Sequence, residues 1–184
     1  MLGRRHLLAS ILLGACGVPA WARLQAPPEV TGELPEARLQ GSARMRYFGL
    51  HIYDARLWVS PGFSPASFAQ HAFALELAYG RALDGRLIAE RSLAEMQRLE
   101  RLPPARAQTW LAAMTAAFPD VSAGDRITGV LRADRSVRFF VNGRLRHALD
   151  DPAFGPLFFG IWLSPRTSEP AMRASLLATS ADAP

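Results

Sequence analysis

The chain is poor in the residues that most often carry chemistry. It has one cysteine, Cys16, and no lysine, so all 21 of its basic residues are arginine. A lone cysteine rules out an internal disulfide, and stability must come from a packed core. His6, His51, His71 and His147 sit in no ligand-like spacing, so no structural metal site is expected. There is no G-x-S-x-G turn for a serine nucleophile. Gly41-Ser42-Ala43 is not followed by the Lys-Ser or Lys-Thr of a phosphate loop, and no βαβ pattern surrounds it. No cofactor is expected. The arginines are scattered rather than set in a stripe with interleaved aromatics, so nucleic acid is not an expected partner. No internal repeat or internal linker divides the sequence.

What is present is a globular composition: 184 residues, 49% hydrophobic and 20% charged, with a formal charge of +5. This suits one domain with a substantial core. The first 22 residues read as a secretory signal. Arg4, Arg5 and His6 precede the apolar run Leu7–Gly17, and Ala20-Trp21-Ala22 offers small residues for cleavage before Arg23. That run has 11 residues, against the roughly 20 needed to span a bilayer. Export to the periplasm is therefore expected, by the general or the twin-arginine route. The alternative is a lipoprotein anchored through Cys16, which follows Leu13-Gly14-Ala15; only then is a membrane an expected partner. Removing residues 1–22 leaves 162 residues, 23–184, as a single domain with a formal charge of +3.

Periodicity divides the domain. Residues 23–39, with Pro27, Pro28 and Pro35, read as an extended leader, an edge strand at most. Residues 43–60 read as two strands around a turn near Gly49. In the second, His51, Tyr53, Ala55, Leu57 and Val59 share a core face. Phe73, Leu75, Leu77 and Tyr79 alternate with Ala74, Glu76 and Ala78 in a half-buried strand. Asp84 is an N-cap for a helix to about Arg101, with Leu87, Ile88, Met96 and Leu99 inward and Glu90, Arg91, Glu95 and Arg98 on the wetter side. Pro103-Pro104 starts a second helix carrying Ala107, Trp110, Leu111, Met114 and Phe118. Residues 126–132 and 137–141 form a hairpin, and Asn142-Gly143 turns the chain into a short further strand. Asp150 or Asp151 caps a helix that is apolar nearly all round, and Ser168-Glu169-Pro170 opens a last one. The class is α+β: an antiparallel sheet with a helical layer on one face.

Two constellations could carry chemistry. Asp54 and Glu76 could be paired carboxylates, although strand alternation alone explains them as a polar face. Arg44 beside Tyr53 would suit a carboxylate, since both donate hydrogen bonds and arginine keeps its charge; alternatively Arg44 is a surface residue and Tyr53 a core aromatic.

The ordered series Gly41-Ser42-Ala43-Arg44, Phe48-Gly49-Leu50 and Ile52-Tyr53-Asp54-Ala55-Arg56-Leu57-Trp58 resembles the opening hairpin of the chalcone isomerase-like family. Ser92-Leu93-Ala94-Glu95-Met96, Phe118-Pro119-Asp120-Val121, Gly124-Asp125, Asn142-Gly143 and Phe159-Gly160-Ile161-Trp162-Leu163 continue the likeness, which extends over about residues 33–178 and favours an exported bacterial branch. The resemblance implies an open-faced β-sandwich with a cleft between sheet and helices. Some members close a flavonoid ring; others bind fatty acids without catalysis. Arg44 matches the family arginine after the glycine turn, and Tyr53 the tyrosine with which binders hold a carboxylate. Ile88 and Glu95 stand where the enzymes carry a tyrosine and an asparagine, and about Gly155 where they carry a serine or threonine. Ile88 cannot donate a hydrogen bond, and an ionised Glu95 would repel a phenolate, so ring closure is not expected. The expected function is binding of a small carboxylate-bearing amphiphile, such as a fatty acid, by Arg44, Tyr53, Ile88 and Glu95. Leu57, Leu75, Leu87, Trp110, Phe158 and Trp162 are expected to wall its tail. The alternative is an isomerase, an intramolecular lyase acting on a phenolic or enone substrate. A third reading is a closed domain that docks on an envelope protein.

Overall fold

The computed structural model describes residues 25–178; the signal segment 1–22 and Cys16 lie outside them. Six strands form one antiparallel sheet in strict chain order: β1 (Arg38–Tyr47), β2 (Leu50–Val59), β3 (Phe73–Tyr79), β4 (Arg126–Leu131), β5 (Val137–Val141) and β6 (Arg144–Leu149). Two helices, α2 (Gly85–Leu99) and α3 (Pro104–Ala117), are inserted between β3 and β4. Two more, α4 (Phe154–Leu163) and α5 (Pro170–Leu177), follow β6.

The alternation read in β2 holds from Tyr53 onward; His51, expected on the core face, instead turns toward Asp54 because Ile52 bulges. β3 keeps its core face but is not half-buried, since Ala74 and Glu76 on its other face are buried too. Ala55, Leu57, Val59, Phe73, Leu75, Leu77 and Tyr79 bury one face of the sheet against α2–α5. Asp84 caps α2 by accepting from the Leu87 amide, and Pro104 opens α3. Phe154, Phe158 and Phe159 of α4 meet Phe73 and Phe139 edge to face, the arrangement their ring quadrupoles favour, and Trp162 packs edge to face on Phe158 within the helix. α5 crosses β1 so closely that a Cβ at Gly41 would overlap the Ser175 and Leu176 carbonyls, so only glycine fits there.

Three further expectations need correction. The leader is not extended: Pro28–Glu33 forms a short helix, α1. Pro28 supplies the preset φ of a first turn. Val30 and Leu34 then bury on the other face of the sheet, over Trp58, Ala74, Val130 and Phe140. Second, α4 begins at Phe154, with no side-chain cap. Asp151 caps the turn at 152–153 that leads into it, accepting from the Ala153 amide at 2.9 Å, and also accepts from the Trp110 indole Nε1 at 2.9 Å. Third, Glu95 is buried, not on the wet side of α2.

Candidate functional site

A cavity of about 490 Å³ lies between the sheet and helices α2 and α4, within the usual size range of small-molecule sites. Leu75 and Leu77 of β3, Ile127 of β4, Phe139 of β5 and Phe158 and Phe159 of α4 make its inner wall. Met45 and Tyr47 of β1 and Leu87 and Ile88 of α2 face it from the open side. Of the walls expected from the sequence, Leu75, Leu87, Ile88, Phe158 and Trp162 line it; Leu57 and Trp110 are packed in the core away from it.

One end is polar. Trp162 Nε1 donates to the Tyr53 hydroxyl at 3.0 Å, leaving that hydroxyl's own proton free for another acceptor. Loss of solvent pushes the Tyr53 pKa up to about 12, and burial raises Tyr79 as well. Both therefore stay protonated donors at neutral pH. Their rings meet edge to face 6.0 Å apart. Among the described residues the Tyr79 hydroxyl has no hydrogen-bond partner. By alternation alone Tyr79 is a core-face residue. Its place directly across from Tyr53 in the β2–β3 register is the signal that identifies it.

Glu95 closes this end. One carboxylate oxygen is 2.6 Å from Arg91 Nη2; the other accepts from Ser168 Oγ at 2.9 Å and Arg98 Nε at 3.1 Å. Arg98 also donates to the Arg166 carbonyl at 2.7 Å. The carboxylate thus ties α2 to the loop between α4 and α5. With its oxygens so occupied it is poorly placed to act as a free base. Arg91 is, among the described residues, the one cation along the cavity wall, beside the acids Asp84, Glu95 and Glu169.

Arg44 is not at this site. A simple hairpin around Phe48-Gly49 would continue the Arg46↔His51 pairing to place Arg44 opposite Tyr53. A register shift beyond Arg46 instead pairs Met45 with Tyr53 and Arg44 with Asp54. The extra residue is Ile52, which lines the cavity. Such a bulge transfers every later side chain to the opposite face. Arg44 therefore lies on the far face, half exposed, and grips Asp54 with two hydrogen bonds of 2.6 and 3.1 Å. That guanidinium holds the Asp54 carboxyl below its ordinary pKa. Nor are Asp54 and Glu76 a catalytic pair, since Glu76 is bound to Arg56 and the Trp58 indole. Gly155 does not line the cavity either: a side chain there would meet Leu131 Cδ1 at 2.6 Å. Among the described residues no cluster of three His, Cys, Asp or Glu side chains is placed to hold a metal ion.

The tyrosine pair makes a pH prediction. Folding holds the Tyr53 proton above its ordinary pKa of 10.0, up to about 12. The associated stability is complete below pH 10.0 and is lost as pH rises through about 12. Melting temperatures across this alkaline window should fall more steeply for the wild type than for Tyr53→Phe; equal slopes would refute a desolvated hydroxyl.

Two similar proteins frame these observations. An uncharacterized protein of Haemophilus influenzae is 27% identical over 137 residues, 74% of this chain and 66% of that protein's length, so the chain spans slightly less than two thirds of it. The crystal structure of a fatty-acid binding protein of Arabidopsis thaliana superposes with a TM-score of 0.60 at 11% identity, covering 77% of this chain and 87% of that one. That likeness is one of fold. The six-stranded antiparallel sheet, its helical layer and the cleft between them are accompanied by a match of residues 24–178 to the chalcone isomerase-like model, and the chain belongs to the chalcone isomerase-like family.

Proposed function

We propose that this domain is a non-catalytic binder of a small amphiphile, held with its hydrocarbon tail between sheet and helices and its acceptor head against Tyr53 and Tyr79. Fatty acids are the first candidates. The observation that carries the reading is an apolar cavity of about 490 Å³ whose inner polar contacts are buried tyrosyl hydroxyls with protons to give. Arg91, rather than Arg44, is the cation within reach of an acidic head. The fold shared with a plant fatty-acid binding protein supports the same reading. We further propose that residues 1–22 export the protein to the periplasm, with anchoring through Cys16 as the alternative.

Native mass spectrometry of the protein purified from its own periplasm tests this, with Tyr53→Phe and Arg44→Ala beside it. The expected result is a co-purifying amphiphile, depleted in Tyr53→Phe and retained in Arg44→Ala. Stability of Arg44→Ala should change little, since its ion pair with Asp54 is exposed. Loss of ligand from Arg44→Ala alone would restore Arg44 to the site and overturn the assignment.

One observation favours a second reading. Two protonated tyrosines facing an apolar cavity could polarise the carbonyl of an enone. Against it, Ile88 donates no hydrogen bond and Glu95 is held by two arginines and a serine. Chalcone turnover by the purified protein would decide in favour of an isomerase.

A further inference from the structure

Among the described residues, five large apolar side chains are exposed: Tyr47, Phe48, Leu50, Leu87 and Leu145. Three of them occupy one hairpin tip, between β1 and β2. The fourth, Leu87, lies in the first turn of α2 and lines the cavity together with Tyr47. The apolar patch at the tip is therefore continuous with the mouth of the cavity.

The turn itself is unusual. Phe48 and Gly49 have φ of 47° and 77°, a two-residue turn with both residues left-handed, for which Asn-Gly is the favoured pair. The same chain uses Asn142-Gly143, at 49° and 82°, in its β5–β6 hairpin. A phenylalanine in this conformation is strained. Its ring is 87% exposed, so burial within the domain does not offset the strain. Its one aromatic neighbour is Tyr47, with ring centroids 4.5 Å apart, and the two rings project together. Strain held at an exposed aromatic points to a partner outside the domain.

The surroundings indicate which kind. Arg46, which reaches the Gly49 carbonyl in the turn, Arg81, next to Gly80 whose amide bonds the Ile52 carbonyl of β2, and Arg86, next to Leu87 in the first turn of α2, are all exposed. Arg86 pairs with Glu90, and Asp84 is engaged in capping α2. An aromatic tip rimmed by arginines fits the boundary between headgroups and acyl chains, where aromatic rings settle and arginines meet anionic lipid. Four apolar side chains fall far short of the roughly 20–30 residues per side of a stable protein interface. A bilayer accepts so small a wedge.

We infer that the β1–β2 hairpin tip docks on anionic lipid bilayers, with Tyr47, Phe48 and Leu50 entering the interfacial layer and the cavity mouth brought against it. A lipophilic ligand then passes between bilayer and cavity without crossing water. The docking uses surface residues alone and stands whether or not the cavity binds fatty acids.

Vesicle co-sedimentation of the chain from residue 23 onward is the test. Vesicles are phosphatidylglycerol mixed with phosphatidylcholine, or phosphatidylcholine alone. The wild type is expected to sediment with the anionic vesicles at least about fivefold more than with the neutral ones, and less in high salt. Phe48→Asn should lose that binding at least about fivefold while melting no lower than the wild type, because asparagine relaxes the turn. Ligand occupancy measured without vesicles should be the same in both proteins, which separates docking from binding. Equal sedimentation of wild type and Phe48→Asn, or none with either vesicle, overturns the inference. So does a wild-type dimer in sedimentation velocity that Phe48→Asn abolishes, because the tip would then be covered by a second copy.

Discussion

Glu76→Ala is expected to lower the stability of the domain by about 3 kcal/mol, read as a drop in the denaturant midpoint at unchanged slope. Glu76 sits in a central strand, 2% exposed, on the face away from the cavity. Its carboxylate accepts from Arg56 Nη1 at 2.9 Å and from Trp58 Nε1 at 2.9 Å, with Arg126 Nε 3.7 Å away. Arg126 also grips the fully buried Glu29 side chain of α1, which takes a further hydrogen bond from Thr128. Two buried carboxylates and two arginines thus balance each other between α1 and the sheet. Removing Glu76 leaves the Trp58 indole without an acceptor and an excess of positive charge. The arginines are about a third exposed, so water relieves part of the imbalance and keeps the loss at the lower end of what breaking a buried pair costs. Glu76→Gln retains an acceptor for Trp58 and should lose less. A midpoint for Glu76→Ala within about 1 kcal/mol of the wild type would mean that the network contributes little.

Ile88→Trp is expected to abolish ligand loading while leaving the fold in place. Ile88 is half-buried on α2, with its side chain against the cavity. A larger side chain there enters empty space rather than packed core, so the usual penalty for overpacking should stay under about 1 kcal/mol. The indole would occupy the space between Tyr53 and the inner wall that a ligand tail needs. Affinity for the co-purified amphiphile should fall at least about tenfold, or about 1.4 kcal/mol, measured by native mass spectrometry or displacement of a fluorescent acyl probe. Undiminished loading would place the ligand outside this cavity and remove the basis of the proposed function.

Much of the fold was legible because its signals are local. The strand at 73–79, the Asp84 cap, Pro104 in a first turn and Asn142-Gly143 each depend on neighbours in the chain, and each stands in the structure. The failures depend on partners far away in sequence. Glu76 reads as a wet-face residue until α1 is known to cover it, and α1 itself forms because Val30 and Leu34 find apolar surface on Trp58 and Phe140. Glu95 reads as a surface charge until Ser168, from the loop after α4, bonds to it. The site was half legible for the same reason. Tyr53, Ile88 and Glu95 reach the cavity, but Arg44 does not, because a one-residue bulge at Ile52 reverses the facing of everything before it. No local pattern announces that bulge.

The order of the strands has a consequence for how the chain comes to its native state. Every strand pairs with its neighbour in sequence, so four of the five pairings, β1–β2, β2–β3, β4–β5 and β5–β6, close over much shorter connections than the fifth and are expected to form before it. The β3–β4 pairing must wait for residues 80–125, with both inserted helices, to be brought in. Loop closure of that length carries the largest entropic barrier in the sheet. The cavity lies across this seam, with Leu75, Leu77 and Tyr79 on one side and Ile127 and Gly129 on the other. The cavity is therefore expected to be the last part of the sheet to close, and a hydrophobic molecule present during folding would meet it as it forms.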